Sequence, residues 1–205
     1  GTKIFDNFDL GELREYIDWQ PFFIAWEMHG KFPQILTDSV VGVEATKLYN
    51  DANALLDKIV SEKWLSAKGV IGFWEAATTA ADTIEVKAHP STSSGQTIQL
   101  ESLRQQIKKA PGQPNLSLSD FIKPAPTPDS GFTTPDHIGA FSVTIQGIET
   151  HIKKFEAALD DYNKIMLQAL ADRLAEAFAE VLHKKTRTEF WGYVKDETLS
   201  NEDLI

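Results

Sequence analysis

One amphipathic stretch sets the terms for everything else in this chain. Residues 160–185 read DDYNKIMLQALADRLAEAFAEVLHKK. Tyr162, Met166, Leu170, Leu174, Phe178 and Leu182 recur at close to helical spacing, and Ile165, Ala169, Ala177 and Val181 widen the stripe. That period predicts a long helix with one apolar face. Asp160 and Asp161 at its start and Lys184 and Lys185 at its end suit the helix dipole. At 1.5 Å per residue the helix spans about 35–40 Å, enough to cross a domain of this size. A stripe that long needs a large apolar partner, which the remaining residues must supply. Off the stripe, Asp172, Glu176 and Glu180 follow one another at i, i+4 steps, with His183 just beyond. A row of like charges is either a solvated face or one that meets a charged partner or ligand.

The chain has 205 residues, enough for a real core. It contains no run of about 18 apolar residues, which excludes a membrane-crossing helix. It shows no basic and apolar leader, so no secretion signal is expected. With no cysteine, disulfides and cysteine-held metals are excluded and a cytoplasmic home is the default. A net charge of −10 opposes nucleic-acid binding, which needs a basic surface, and suits a ligand or partner carrying positive charge.

Ahead of the long helix, Asp9 with Glu12 three residues later predicts a helix start at Phe8-Asp9-Leu10. Asp18-Trp19-Gln20-Pro21 interrupts that helix, and Pro21 opens the next, with Gly30 as its stop. Residues 38–63 form a second long amphipathic segment. Val70-Ile71-Gly72-Phe73-Trp74 reads as a buried strand. Residues 83–86 and 97–100 read as a hairpin around the turn-rich residues 90–95. Leu100, Leu103, Arg104 and Ile107 predict a short helix, residues 123–136 a proline-rich loop, and residues 138–144 another strand. Interspersed helices with a hairpin indicate an α+β fold without regular βαβ alternation. No glycine-rich phosphate loop is present.

Two places carry candidate chemistry. Asp18 stands beside Trp19, Phe22 and Phe23. A carboxylate next to ring faces suits a cation, but an aspartate capping a helix over core aromatics reads the same way. Glu180-x-x-His183 has di-iron spacing in a single copy where two are needed. His29, His89, His137 and His151 show no metal spacing, so no metal site is expected.

Taken together, Asn7-Phe8-Asp9-Leu10, Tyr16-Ile17-Asp18-Trp19-Gln20-Pro21-Phe22-Phe23, Gly69-Val70-Ile71-Gly72-Phe73, Leu103-Arg104-Gln105-Gln106, Ile138-Gly139-Ala140-Phe141, the long-helix block and Trp191-Gly192-Tyr193 resemble the C-terminal activation domain of cobalamin-dependent methionine synthase. The match runs in order over nearly the whole chain. It implies that residues 1–205 form one C-shaped α+β domain, with a twisted antiparallel sheet flanked by long helices. It also implies that the domain binds S-adenosylmethionine for the reductive remethylation of cob(II)alamin. The cobalamin is held by a neighbouring domain of the same polypeptide, and the electron comes from flavodoxin or a diflavin reductase. The whole enzyme is a methyltransferase acting between 5-methyltetrahydrofolate and homocysteine.

By the same resemblance Asp18 and Glu176 are ligand contacts, and Asp172 and Glu149 contact the cobalamin domain. The chain opens on Gly1 and stops inside the first turn of a helix predicted over residues 199–205. That point lies before the family's Arg-Pro-Ala-Pro-Gly-Tyr-Pro-like motif. The expectation is a truncated piece, inactive by itself, that binds S-adenosylmethionine weakly or not at all. Two alternatives stand beside this reading. One is a stand-alone docking module for a corrinoid or flavodoxin-like protein without ligand binding. The other is a di-iron helical protein, which needs a second Glu-x-x-His.

Overall fold

A computed structural model describes residues 1–80, 82–87, 97–125 and 134–198, with the side chain of Ala80 excluded. The predicted turn at 90–95, the predicted helix over 199–205, His89 and part of the proline-rich loop lie outside the described residues. In chain order the elements are β1 (Thr2–Phe8), α1 (Leu10–Leu13), α2 (Gln20–Ala25), α3 (Gly42–Ser61), β2 (Ser66–Ala80), β3 (Thr83–Lys87), β4 (Thr97–Glu101), β5 (Asp136–Gln146), α4 (Ile148–Ala157) and α5 (Asp161–Lys185). The strand order is β1-β2-β3-β4, with β5 also paired to β2. The fold is therefore α+β, as the interspersed pattern predicts.

The chain divides into two compact units. One comprises residues 4–70 and 141–205 and holds the main core. Its axis is α5, on which Met166, Leu167, Leu170, Leu174, Phe178 and Leu182 are fully sequestered. The buried face begins at Met166. Tyr162 and Ile165, which the period assigns to the stripe, are 39% and 47% exposed. Asp160 caps α5 by accepting the Asn163 N–H at 3.0 Å. The partner surface that α5 requires comes from Ala45, Leu48, Ala52, Leu55, Leu56 and Ile59 of α3, Leu10 and Leu13 of α1, and Phe22 and Phe23 of α2. A Cβ on Gly69 of β2 would sit 3.0 Å from the Phe178 ring and 3.3 Å from Leu182, so only glycine lets the strand lie this close to the helix.

The other unit comprises residues 1–3 and 71–140. Its described centre is small: Ala76, Ile84 and Val86 are buried, with Trp74, Ile122 and Ile138 against them. β2 and β3 are antiparallel with Ala76 opposite Val86, and a register shift falls between Thr78 and Ala80. β3 and β4 are antiparallel with Ile84 opposite Leu100, which is the predicted hairpin pairing.

Two expectations need correction, and two further elements, β1 and α4, were not expected at all. A strand, β1, precedes the first helix. The helix predicted from Leu100 to Ile107 does not form: β4 continues to Glu101, and Leu103 and Ile107 are 94% and 61% exposed. There the Arg104 guanidinium is held by Asp82, by Asp120 and by the Asn115 carbonyl, and the Gln105 N–H donates to Leu116 O at 2.9 Å. Those tertiary bonds take the chain out of helical geometry, and no described residue buries its apolar stripe. Third, α4 is a separate helix before α5, with Ile148, Ile152 and Phe155 half-buried on the main core. Last, α2 ends at Ala25, and Gly30 serves the following loop.

Candidate functional site

Asp18 lies between two short helical turns. Leu10 and Leu13 anchor α1 in the core, a 3-10 turn follows at Arg14–Tyr16, and Ile17 and Trp19 are buried on either side of Asp18. Alternation of buried and exposed positions therefore turns the Asp18 side chain outward, and it is exposed. Its Oδ1 accepts the Gln20 N–H at 2.9 Å, a local turn that sets the entry to α2. The carboxylate is thus both a helix-start bond and a surface group.

The aromatic cluster beside it separates in the same way. Phe22 and Phe23 are core, 1% and 0% exposed, and have no access to a ligand. Trp19 is buried edge-on against Phe22 (5.3 Å between centroids) and Tyr49 (4.8 Å). Tyr16, Trp19 and Phe32 are among the residues that line a cleft.

That cleft has a volume of about 680 Å³ and lies wholly within the main-core unit. Its size is in the range of small-molecule sites, roughly 300–1,000 Å³. One wall is the chain from Glu15 to Gln20. A second is Lys31 with Phe32. The third is α5, through Glu176 and Glu180 one turn apart. Asp18 and Glu176, far apart in sequence, therefore border the same cavity. Glu176 also pairs with Arg173 one turn back on its own helix. The cleft presents Glu15, Asp18, Glu176 and Glu180 against Lys31, the single cation among the described residues lining it. Such a lining favours a ligand with positive charge and with room for one negative group near Lys31.

Asp172 is exposed on α5, one turn before Glu176, and does not line the cleft. Glu149 is exposed in the first turn of α4, also away from the cleft. Sequence reasoning missed Gln20, Lys31 and Phe32. Lys31 and Phe32 come to Asp18 through tertiary folding, and Gln20, though next to Asp18 in sequence, is tied to them by side-chain bonds to Gly30 and Phe32 that local spacing does not mark. Among the described residues no cluster of three or more His, Asp or Glu side chains could hold a metal ion. No described helix is long and apolar enough to cross a membrane.

Residues 9–205 match the sequence model of a family described as vitamin B12 dependent methionine synthase, activation domain. This chain belongs to that family. A solved relative agrees: the crystal structure of the MetH reactivation domain bound to AdoHcy is 46% identical, with a TM-score of 0.86. The match covers all of this chain and 60% of that one. The α+β fold described above is thus the fold of a methionine synthase activation domain. The cleft between α5 and the Asp18 turn is a concave feature of small-molecule size in this activation domain.

Proposed function

We propose that the cleft receives S-adenosylmethionine and that residues 1–205 act as one activation domain, presenting the ligand's methyl group for the reductive remethylation of cobalamin. The observation that carries this reading is the convergence of Asp18 and Glu176 on one cavity. S-adenosylmethionine carries an ammonium and a sulfonium, and a cleft with four carboxylates and one lysine attracts both. Its adenine and ribose supply apolar and stacking surface, which Tyr16, Trp19 and Phe32 can meet. Asp18 accepts from the ammonium through the oxygen that Gln20 N–H leaves available. The acidic wall of α5 faces the positive sulfur end.

Cobalamin, held by a neighbouring domain of the same polypeptide, supplies the methyl-accepting metal. The neighbouring domain meets Asp172 and Glu149, which lie on the exposed surface outside the cleft. The electron comes from flavodoxin or a diflavin reductase, and the location is cytoplasmic. The solved relative was crystallised with AdoHcy, which is what S-adenosylmethionine becomes once its methyl has left.

Isothermal titration of S-adenosylhomocysteine into the complete natural polypeptide tests the site. Hydrogen bonds to a charged group are worth about 1.5–3 kcal/mol and neutral ones about 0.5–1.5, so D18N is expected to weaken binding about five- to tenfold. E176Q is expected to weaken it less, because Arg173 already screens that carboxylate. Unchanged affinity in both variants would remove the cleft from consideration and favour a domain that docks partners without a ligand.

A further inference from the structure

We infer that Trp64 is a positioning residue for α4: its carbonyl and its indole seat one side of that helix and so fix which side α4 shows to the neighbouring domain. The inference rests on the reading above that Glu149 meets that domain. Helix α4 has no fully buried side chain of its own. It has instead a line of contacts to one residue. Gly147, at the helix start, takes φ +99°, and a Cβ there would sit 2.8 Å from the Trp64 carbonyl oxygen, so only glycine lets the helix begin against that carbonyl. One turn on, the His151 ring lies flat on the indole, with 4.1 Å between centroids and 14° between planes. A further turn on, Phe155 reaches the same indole at 6.3 Å. Residues 147, 151 and 155 fall on one stripe of a helix.

Trp64 is itself held. Its backbone N–H donates to the Ile59 carbonyl in the last turn of α3 at 3.0 Å, and its indole N–H donates to Glu62 Oε2 at 2.7 Å. Glu149 is exposed and lies two residues before His151, about 200° round the helix. A helix seated on its His151 side therefore shows Glu149 on the other. If the seat slips, α4 rolls and Glu149 turns with it. The charged groups that face His151 are Lys154 on its own helix and Glu62 beside Trp64. Burial holds the imidazole below its ordinary 6.5, with Lys154 acting the same way and Glu62 opposing. The fold thus prefers the neutral ring. The seat is complete above pH 6.5 and weakens as pH falls below it.

The test uses the complete natural polypeptide, with W64L, W64F, H151F, E149Q and the W64L/E149Q double variant. Two quantities are measured: hydrogen exchange, and the rate of S-adenosylmethionine-dependent recovery of methyltransferase activity. Losing an aromatic pair is expected to lower the protection of the α4 amides about two- to tenfold in W64L. W64F keeps a flat ring and is expected to restore most of it, and the α5 amides stay protected in both. In the unaltered protein the protection of α4 relative to α5 is expected to fall between about pH 7.5 and about pH 5.5, and in H151F to hold. Recovery of activity is expected to slow about two- to tenfold in W64L and to be spared in W64F. In the E149Q background W64L is expected to slow it no further, because the group it positions is gone.

Unchanged α4 protection in W64L overturns the inference, and so does an H151F pH profile that follows the unaltered protein. Loss of protection throughout α5 would make Trp64 a folding residue and overturn it as well. A W64L effect on recovery that persists in full beside E149Q has the same force, as does a slowing in E149Q with none in W64L. If α4 loosens in W64L while neither W64L nor E149Q changes the rate, Trp64 still seats the helix and the reading of Glu149 falls.

Discussion

Arg104 shows how single residues hold the smaller unit together. Its guanidinium is bound by Asp120 at 2.8 Å, by Asp82 and by the Asn115 carbonyl at 2.8 Å. Arg104, with the Ser117 N–H, lowers the Asp120 carboxyl from its ordinary 3.8 to about 2. A carboxyl with a depressed folded value adds stability above its unfolded value and loses it as pH falls through the folded one. Thermal melts between about pH 4 and pH 2 should therefore show a falling melting temperature, and D120N should flatten that slope while lowering stability at neutral pH.

Tyr162 gives the opposite end of the scale. Burial and the Asp51 carboxylate, which accepts its hydroxyl at 2.8 Å, push it up from 10 to about 12. Here the protonated form is favoured in the fold. The contribution is complete below pH 10 and fades as pH approaches 12. Y162F should cost about 1 kcal/mol at neutral pH in a urea titration, and the difference from wild type should vanish at the alkaline end.

At the level of elements, the contact of β2 with α5 is the most sensitive. Phe178 is fully buried with its ring tilted against Phe8 at 4.7 Å between centroids, so it has little room to give way to a methyl group on Gly69. G69A should lower stability by about 1–3 kcal/mol, read as a lower urea midpoint with unchanged slope. The helices α3 and α5 were legible because a period near 3.6 runs uninterrupted through each. The hairpin was legible because Thr83-Ile84-Glu85-Val86 alternates, and the structure buries Ile84 and Val86. What escaped has a common cause. Helix α4 offers only half-buried apolar residues. The strand β1 is mostly exposed. The stripe from Leu100 to Ile107 has the right spacing, but Arg104 finds two carboxylates that local spacing cannot reveal. For the cleft, composition and spacing marked Asp18 and the acidic row separately. Their meeting was readable only through the family resemblance. Gln20, Lys31 and Phe32 were not readable at all, because the bonds that assemble them join an amide side chain to a backbone ten or more residues away.

At the level of the molecule, the two units differ in how much they bury. The main-core unit closes a continuous apolar cluster contributed by α1, α2, α3 and α5, whereas the described centre of the other unit rests on three buried side chains. Local stability follows buried contact. Native-state hydrogen exchange should therefore find the middle of α5 among the last amides to exchange, and the β3–β4 ladder well before it. Equal protection in the two places would show that the units unfold as one.

The cleft inherits that inequality. Its helical wall alternates with the core: Glu176 and Glu180 flank Ala177 and Phe178, which are almost completely enclosed. Any slide or turn of that wall would drag the packed interior with it. The facing wall, around Lys31, is held by fewer ties: the Gln20 amide, the Ile35 N–H on the Lys31 carbonyl, and Phe32 against Phe23. A lineage, or a protein engineer, wishing to retune what this cleft accepts has a rigid anvil on one side and an adjustable jaw on the other, and new preferences should arise through the jaw.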